Sequence, residues 1–510
     1  MGKYLDILEV SQKQAFIFAS NHLKDNVSNS ALIARITSAE YFEEITAGSD
    51  LYRTDENIVY AGGGHTVLVF SERETAKKFN SLVTKKIHED YPEILMFAKI
   101  EEYDDSITPG ENLENLVGAL ERKKALRESV FHQGTFGIEA IDTNTLRPIR
   151  VEKKEKDDLK DIETDHYVTP LGFTQVSRFS ELGGSKDESN FIAVVHIDGN
   201  GMGARVKQFY DANNKLPWEE FKTTIRKFSE GIDKDFKASL KEMNEKVAGA
   251  LLNKKLDQLK LKENNFPVRR LISSGDDICF VTEGRIGIEC AVAFIEALNK
   301  KTNEADKKGY SACAGVAIVH QKFPFYRAYE IAEALCSNAK KYGASISPND
   351  NGSCVSAIDW HIEFGELKDS LDEVRSEYKT ADKKYLQLRP YIINAPEVIR
   401  QIDENREYNK FSKLLRQLLN QDDPYASGKL KQMRSVLKKG EIETIYYMKF
   451  NKIYDLAMSS YQGIYKELDY SKIGTGEWLE RRVFVKTADG KERSVLFDAV
   501  ELIDNFLFLE

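Results

Sequence analysis

Three aspartates stand at the ends of apolar stretches, and their spacing suggests metal-dependent phosphoryl transfer. Asp198 closes the apolar stretch 191–198, and Asp276 and Asp277 form the tip of a predicted hairpin. If the two elements are neighbours in a sheet, the carboxylates converge, which is costly unless a cation lies among them. Oxygen ligands favour Mg²⁺ (or Mn²⁺), and two such ions can promote an in-line displacement at phosphorus. We therefore predict Asp198, Asp276 and Asp277 as catalytic and metal-binding residues.

Small and polar residues beside these aspartates predict a nucleotide site. Glycines let a triphosphate approach the backbone, and a helix N-terminus offers free N–H groups to phosphate oxygens. A lysine at the end of the predicted helix 324–341 can reach phosphates as a point charge, although it can equally interact with the helix dipole. Turn serines often hydrogen-bond only their own backbone. The nucleotide-binding candidates here are Gly199, Asn200, Gly201, Met202, Gly203, Ser273, Ser274, Gly275 and Lys340.

These motifs also allow other interpretations. Either acidic turn alone is more typical of a plain turn or a hairpin cap, and only the pair at the expected interval favours a metal site. The glycines after Asp198 do not fit the G-x-G-x-x-G spacing of a dinucleotide-binding turn, and no phosphate-binding P-loop pattern occurs. His196 shares a strand face with Asp198 but is more typical of a packed histidine than of a ligand.

The elements that position these residues repeat one order twice. In the second unit, strands at 191–198, 267–273, 277–282 and 311–320 are separated by helices in a β-α-β-β-α-β order. The first unit has the same order, with strands at 4–10, 57–61, 65–70 and 93–100. Its hairpin carries Gly62, Gly63 and Gly64 but no carboxylate, so it offers room for a nucleotide and cannot hold magnesium in the same way.

The fold class is therefore α+β, with two ferredoxin-like palm units, a helical insertion and a helical C-terminal domain. We predict a degenerate first unit at 1–100, a helical insertion and linker at 101–165, a second unit at 166–365 and a mainly helical domain at 366–510. Within the last domain, helices are predicted at 366–385, 396–420, 427–438 and 442–467, and a terminal hairpin at 484–497.

Composition narrows the class of protein. The chain has 510 residues and a formal net charge of −9, which argues against binding nucleic acid by bulk positive charge. No apolar stretch approaches the roughly 20 residues that span a bilayer, and no signal-peptide core is present, so no membrane partner is expected. The five cysteines form no C-x-x-C pair, which favours the reducing cytoplasm.

Taken together, these motifs resemble the palm-domain large subunit of type III CRISPR effectors, the Cas-ten/Cmr-two family. The resemblance rests on the Asp198-Gly199 strand end, the Gly275-Asp276-Asp277 hairpin and Ala339-Lys340, with further similarity at 16–20, 62–64, 358–361 and 389–391. Ser274 stands where the family has the first glycine of G-G-D-D, and Asn200 where a second aspartate often follows. No histidine-aspartate nuclease domain is expected, so the resemblance is to a reduced form.

The resemblance implies an enzyme that condenses ATP into cyclic oligoadenylate second messengers in antiviral defence, with release of pyrophosphate. Asp198, Asp276 and Asp277 would bind Mg²⁺, assisted by the Gly199 carbonyl, and Lys340 would hold the triphosphate. Implied partners are other CRISPR effector subunits and crRNA or target RNA. Two alternatives stay open: a non-catalytic scaffold subunit of such an effector, and a GTP-using dinucleotide cyclase like the GGDEF enzymes.

Overall fold

The described part of the chain contains two large, mainly antiparallel β-sheets, a two-stranded sheet and sixteen α-helices. The computed structural model describes residues 2–126, 169–184, 190–347, 355–363, 371–419, 427–453 and 483–510. The strands, in chain order, are β1 Tyr4–Val10, β2 Ile58–Gly62, β3 His65–Phe70, β4 Met96–Glu102, β5 Phe191–Gly199, β6 Val268–Ser274, β7 Asp277–Glu283, β8 Ala312–His320, β9 Ala357–Ile362, β10 Tyr391–Ile392, β11 Phe484–Lys486 and β12 Glu492–Ser494.

The helices surround these sheets and alternate with their strands. In chain order they are α1 Lys13–Ile17, α2 Leu23–Ile36, α3 Ala39–Thr46, α4 Thr54–Asn57, α5 Arg73–Asp90, α6 Pro109–Ala125, α7 Met202–Asn213, α8 Trp218–Leu252, α9 Gly287–Leu298, α10 Phe325–Ile346, α11 Leu371–Ser376, α12 Glu397–Arg400, α13 Tyr408–Leu418, α14 Ser427–Leu437, α15 Glu441–Phe450 and α16 Phe497–Glu501.

The first sheet has the strand order β2-β3-β1-β4, with all pairs antiparallel. The strands and their connecting helices follow the predicted β-α-β-β-α-β order, and the β2–β3 turn holds the glycines at 62–64. Gly63 and Gly64 have φ values of +66° and +78°, a region that glycine occupies without the penalty of a Cβ atom. The first ferredoxin-like unit predicted from the sequence is confirmed.

The second sheet contains the same four-strand core and two additional strands. Its order is β10-β9-β8-β5-β7-β6, so β5 lies between β8 and β7 at the centre. The central strand β5 is almost entirely buried, as its continuous apolar run indicates. Strand β9 extends the sheet by pairing parallel to β8, and the short β10 follows it. The sequence reasoning predicted neither β9 nor β10 as a strand.

Helix α10 lies unusually close to β8, and this close approach brings Lys340 to the sheet. A Cβ atom at Gly315 would fall 1.9 Å from the carbonyl oxygen of Ala332 and 2.4 Å from the amide nitrogen of Cys336. Only glycine therefore allows the helix backbone to pack this closely on the strand. The cysteines of the described part are buried, and none of them forms a disulfide with another described cysteine: Cys279, Cys290, Cys313 and Cys336.

The two palm units are packed against each other through shared apolar clusters. Phe18 of the first unit lies with its ring centroid 4.3 Å from that of Tyr329 on α10. Helix α8 of the second unit covers the edge strand region of the first sheet, where Lys222 Nζ donates to the Glu56 carbonyl at 3.1 Å and Arg226 donates to the Ile58 carbonyl. An exposed strand edge is thereby capped by basic side chains, which limits unwanted strand pairing.

The C-terminal region departs from the predicted helices. Of the predicted helix 366–385, residues 366–370 lie outside the described residues, α11 covers 371–376, and residues 377–385 form turns in which the Thr380 hydroxyl accepts from the Lys384 amide at 2.9 Å. Such side-chain bonds to the backbone compete with helix formation. The predicted helix 396–420 is divided into α12, a 3₁₀ turn and α13, whereas the terminal hairpin is confirmed as β11–β12. Most of the predicted insertion and part of 442–467 lie outside the described residues.

Among the residues that the structure describes, none of the helices is both long and apolar enough to cross a membrane.

Candidate active site

The pairing of β5 with β7 brings the three predicted aspartates to one end of the second sheet. Asp198 and Asp277 are direct partners in the antiparallel register, so their side chains leave the same face of the sheet. Asp276 lies in the turn before β7, and its carbonyl oxygen accepts a hydrogen bond from the Gly199 amide at 3.2 Å. The sequence predicted this convergence from strand ends alone, and the register now accounts for it.

Gly199 makes the close approach between the two acidic turns possible. A Cβ atom there would lie 2.9 Å from the Asp276 Cβ and 2.9 Å from the Met202 Cγ, closer than real Cβ atoms come. Gly201 (φ +63°) directly precedes α7, and Gly275 (φ +62°) occupies the hairpin turn. A Cβ at Gly203 or Gly275 would meet nothing within 4 Å, so both positions border open space.

Lys340 contacts two of the residues that the sequence analysis predicted as ligands of a metal ion. Its Nζ donates to Asp198 Oδ2 at 2.5 Å and to the Gly199 carbonyl oxygen at 2.9 Å. Burial by itself lowers the pKa of Lys340, but the hydrogen bond and charge of Asp198 raise it overall, so the side chain is a cation at neutral pH. The carboxylate of Asp198 is therefore already paired with a positively charged group.

Asp276 and Asp277 are electrostatically strained. Desolvation by burial, followed by the negative charge of Asp198, raises the pKa of each from 3.8 to about 6. The charges of Lys13 and Lys340 lower the pKa of Asp277 only in part. Perturbed carboxylates that repel one another at the end of a strand are typical of functional sites, because a structural role would not require the repulsion.

His196 lies behind Asp277. Its Nδ1 is 3.5 Å from Asp277 Oδ1, and burial lowers the pKa of the imidazole, so the ring is neutral at pH 7. Its ring also packs edge-on against Tyr329, with centroids 5.5 Å apart. The structure therefore places His196 as a packed histidine that also faces a catalytic candidate, and not as an exposed ligand.

The residues present fit a divalent cation. Their donor set consists of carboxylate oxygens and the Gly199 carbonyl, and Asp277 Oδ1 is buried without a hydrogen-bond partner in the described part of the chain. Mg²⁺ prefers such oxygen ligands. Within the described ranges, no three His, Cys, Asp or Glu side chains could hold an ion together as they stand. Since Lys340 lies on Asp198, a cation would have to displace the ammonium group.

The remaining predicted residues of the second unit lie around the three aspartates. Asn200 is buried and donates through its side chain to Ser311 Oγ at 3.2 Å and to the Val355 carbonyl at 3.3 Å, so it anchors the loop after Asp198. Met202 begins α7 beside the open Gly203 position. Ser273 Oγ is buried and has no hydrogen-bond partner among the described residues.

Ser274, at the β6–β7 hairpin, contacts the first palm unit. The Gly63 amide donates to Ser274 Oγ at 2.6 Å, and Lys13 Nζ donates to the Gly63 carbonyl. The structure thus brings the turn at Gly62, Gly63 and Gly64 to the second unit's site, as expected for two facing units. Sequence reasoning missed Lys13, because no local pattern marks a residue whose role depends on contact between distant units.

Comparison with protein families defines the class of this fold. Residues 191–346 match the family model described as "Cas10/Cmr2, second palm domain". Over this segment the chain is similar to the second palm domain of the Cas10/Cmr2 family, and there the resemblance inferred from the sequence is confirmed. The matched range contains Asp198, Asp276, Asp277 and Lys340.

Solved structures with a similar fold extend over nearly the whole chain. A Csm1-Csm4 cassette in complex with cA4 is 14% identical, with a TM-score of 0.55, and the match covers 99% of this chain and 70% of that chain. The cassette with one ATP is 14% identical (TM-score 0.54, 99% and 70%), and Csm1 in T.onnurineus is 15% identical (TM-score 0.50, 98% and 70%). A search of curated proteins found no match.

Proposed function

We propose that this chain is a metal-dependent nucleotidyltransferase that condenses ATP into oligoadenylates, including cyclic products, in CRISPR-related antiviral defence. The observation that carries the proposal is the convergence of Asp198, Asp276 and Asp277 beside Lys340. The Cas10/Cmr2 family match supports it. Similar folds crystallised with ATP, pppApApA and cA4 support the choice of adenine nucleotides.

In the proposed reaction, the 3′-hydroxyl of one nucleotide loses its proton to solvent, and its oxygen bonds to the α-phosphorus of another nucleotide. Pyrophosphate leaves with the electron pair of the broken P–O bond. Asp198, Asp276 and Asp277 would hold Mg²⁺ or Mn²⁺, which when bound lowers the pKa of an attacking hydroxyl and offsets charge at the phosphate. Lys340, released from Asp198, would bind the triphosphate. The N–H groups at the start of α7, beside the open Gly203 position, would donate hydrogen bonds to phosphate oxygens.

The proposal includes partner subunits. Each Csm1-Csm4 cassette is an assembly of two proteins, and one of the two has a fold similar to that of this chain. We infer that this chain likewise works with other CRISPR effector subunits, and that crRNA and target RNA are the signals to which such an assembly responds. The negative charges of Asp276 and Asp277 argue against a purely non-catalytic scaffold, because a scaffold gains nothing from carboxylates that repel one another.

Mass spectrometry of products tests the reaction and the base preference together. The purified chain is incubated with equimolar ATP and GTP and Mg²⁺ or Mn²⁺, with and without candidate partner subunits and target RNA. We expect oligoadenylates and pyrophosphate that disappear when the metal is chelated. Guanine-only products would favour a GTP-using cyclase. Absence of products in every condition, together with loss of assembly on deleting residues 400–510, would favour the scaffold.

A further inference from the structure

Lys13, at the start of α1 in the first palm unit, reaches the candidate active site of the second unit. Its Nζ donates to the Gly63 carbonyl, and the amide of the same glycine donates to Ser274 Oγ at 2.6 Å. Ser274 is the register partner of Asp277 across the hairpin. An unbroken chain of contacts therefore leads from Lys13 through Gly63 and Ser274 to a catalytic aspartate.

The charge of Lys13 acts on this site. Two lysines lower the pKa of Asp277: Lys13 from the first unit and Lys340 from the second unit. Lys13 also contributes to the low pKa of His65, which burial lowers to about 4. Two cations from different units thus bear on the same carboxylate cluster, and a polyanion held at that cluster would experience both.

The present partner of Lys13 is a neutral backbone carbonyl. Because the ammonium group is charged, this hydrogen bond is already charge-assisted, but an ionised phosphate oxygen adds a Coulomb attraction that the carbonyl lacks. The lysine is half-buried, so it is partly shielded from water and still accessible. A phosphate oxygen brought near Gly63 would therefore compete well for this ammonium group.

We propose that Lys13 is a phosphate-binding residue of the candidate active site, contributed by the first palm unit, and that Ser274 is the positioning residue that holds the Gly63 turn in reach of it. This inference rests on the proposed function. It assigns a use to the serine that replaces glycine in the G-G-D-D pattern: a glycine has no hydroxyl to accept the Gly63 amide. The serine then tightens the contact between the two units and leaves the metal-binding aspartates unchanged.

Phosphate-dependent binding tests the role of Lys13. The full chain is titrated calorimetrically with a non-hydrolysable ATP analogue and with AMP, each with Mg²⁺. We expect K13A to raise the Kd for the ATP analogue about tenfold and the Kd for AMP less than about twofold, because AMP offers fewer phosphate oxygens. K13R restores most of the affinity. K24A removes an exposed lysine of the same unit and leaves both Kd values unchanged.

The role of Ser274 is tested by rescue. S274A and S274G remove the acceptor of the Gly63 amide, and we expect each to raise the Kd for the ATP analogue about threefold to fivefold. S274T keeps a hydroxyl and recovers the wild-type value. In the K13A background, S274A has little further effect, because the serine acts through the turn that holds Lys13.

The outcomes separate this inference from the proposed function. If the wild type binds the ATP analogue with Mg²⁺ and D277N weakens that binding, but K13A does not, only the inference about Lys13 is overturned. An equal loss for the ATP analogue and AMP in K13A would indicate a purely structural lysine and would also overturn it. If the wild type does not bind the ATP analogue at all, both proposals fail.

Discussion

Asp277→Asn is expected to reduce product formation by at least about a hundredfold while the protein stays folded. Asp277 pairs with Asp198 across the sheet and carries a buried oxygen without a hydrogen-bond partner in the described part of the chain. An amide is a poor ligand for Mg²⁺ in place of a carboxylate, and electrostatic stabilisation of the transition state is commonly worth a factor of this size. Product formation from ATP is measured by mass spectrometry with saturating metal.

The same substitution should stabilise the metal-free protein at neutral pH. The pKa of Asp277 is about 6 in the folded chain, above its ordinary value of 3.8, so the folded state binds the proton more tightly than the unfolded state does. Stability attributed to this group is therefore present at low pH and is lost as pH rises through 6. We expect a higher melting temperature for D277N than for the wild type at pH 7.5, and a difference that shrinks toward pH 4.5.

Added Mg²⁺ provides the control for this prediction. It should raise the melting temperature of the wild type at pH 7.5, because it offsets the repulsion among the carboxylates, and it should leave that of D277N nearly unchanged. Asp211→Asn alters an exposed acid on α7 and should change neither activity nor stability. A D277N protein that retains wild-type turnover would contradict the catalytic assignment.

Arg389→Ala is expected to destabilise the C-terminal region by about 3–5 kcal/mol, because it removes the closest counter-ion of two buried carboxylates. Arg389 is fully buried, and its Nη1 contacts Asp498 Oδ1 at 2.8 Å and Glu501 Oε2 at 2.6 Å. Its guanidinium carbon also lies 5.2 Å from the ring centroid of Trp360 on β9. One side chain thus joins the second palm sheet to α16.

Thermal unfolding measures the effect, and a surface ion pair supplies the comparison. Lys77→Ala breaks the exposed contact with Glu74 at 2.6 Å and should cost less than about 1 kcal/mol. At roughly 2–4 °C per kcal/mol, Arg389→Ala should lower the melting temperature by about 10 °C. A shift no larger than that of Lys77→Ala would show that the buried cluster does not join the two regions.

Local sequence patterns were sufficient to predict the two palm units and the acidic turns of the second unit. The apolar run ending at Asp198 and the turn at Gly275 define strand ends, and the β-α-β-β-α-β order implies which strands are neighbours. The site could therefore be placed from strand ends before any register was known. Lys340 was identified as a phosphate-binding candidate, but its contact with Asp198 depends on the close packing of α10 on β8 at Gly315.

Features that depend on contacts between distant segments were not predictable in this way. Lys13 lies where the two units meet. The hydrogen bond between Gly63 and Ser274 lies there too, and it joins residues that are 211 positions apart in the sequence. Strand β9 was noted only as a family motif, because its pairing with β8 is set by the sheet and not by its own pattern. The predicted helix 366–385 was wrong over 377–385, where the Thr380 hydroxyl bonds to the Lys384 amide and so competes with helix formation.

Anomalous diffraction from crystals grown with Mn²⁺ and a non-hydrolysable ATP analogue tests the central claim most directly. We predict an anomalous peak within bonding distance of Asp198 and at least one of Asp276 and Asp277, with Lys340 Nζ moved from Asp198 to the phosphates of the analogue. A fully bound analogue with no peak at these carboxylates, and with Lys340 still on Asp198 and the Gly199 carbonyl, would contradict the assignment of a metal-dependent nucleotidyltransferase.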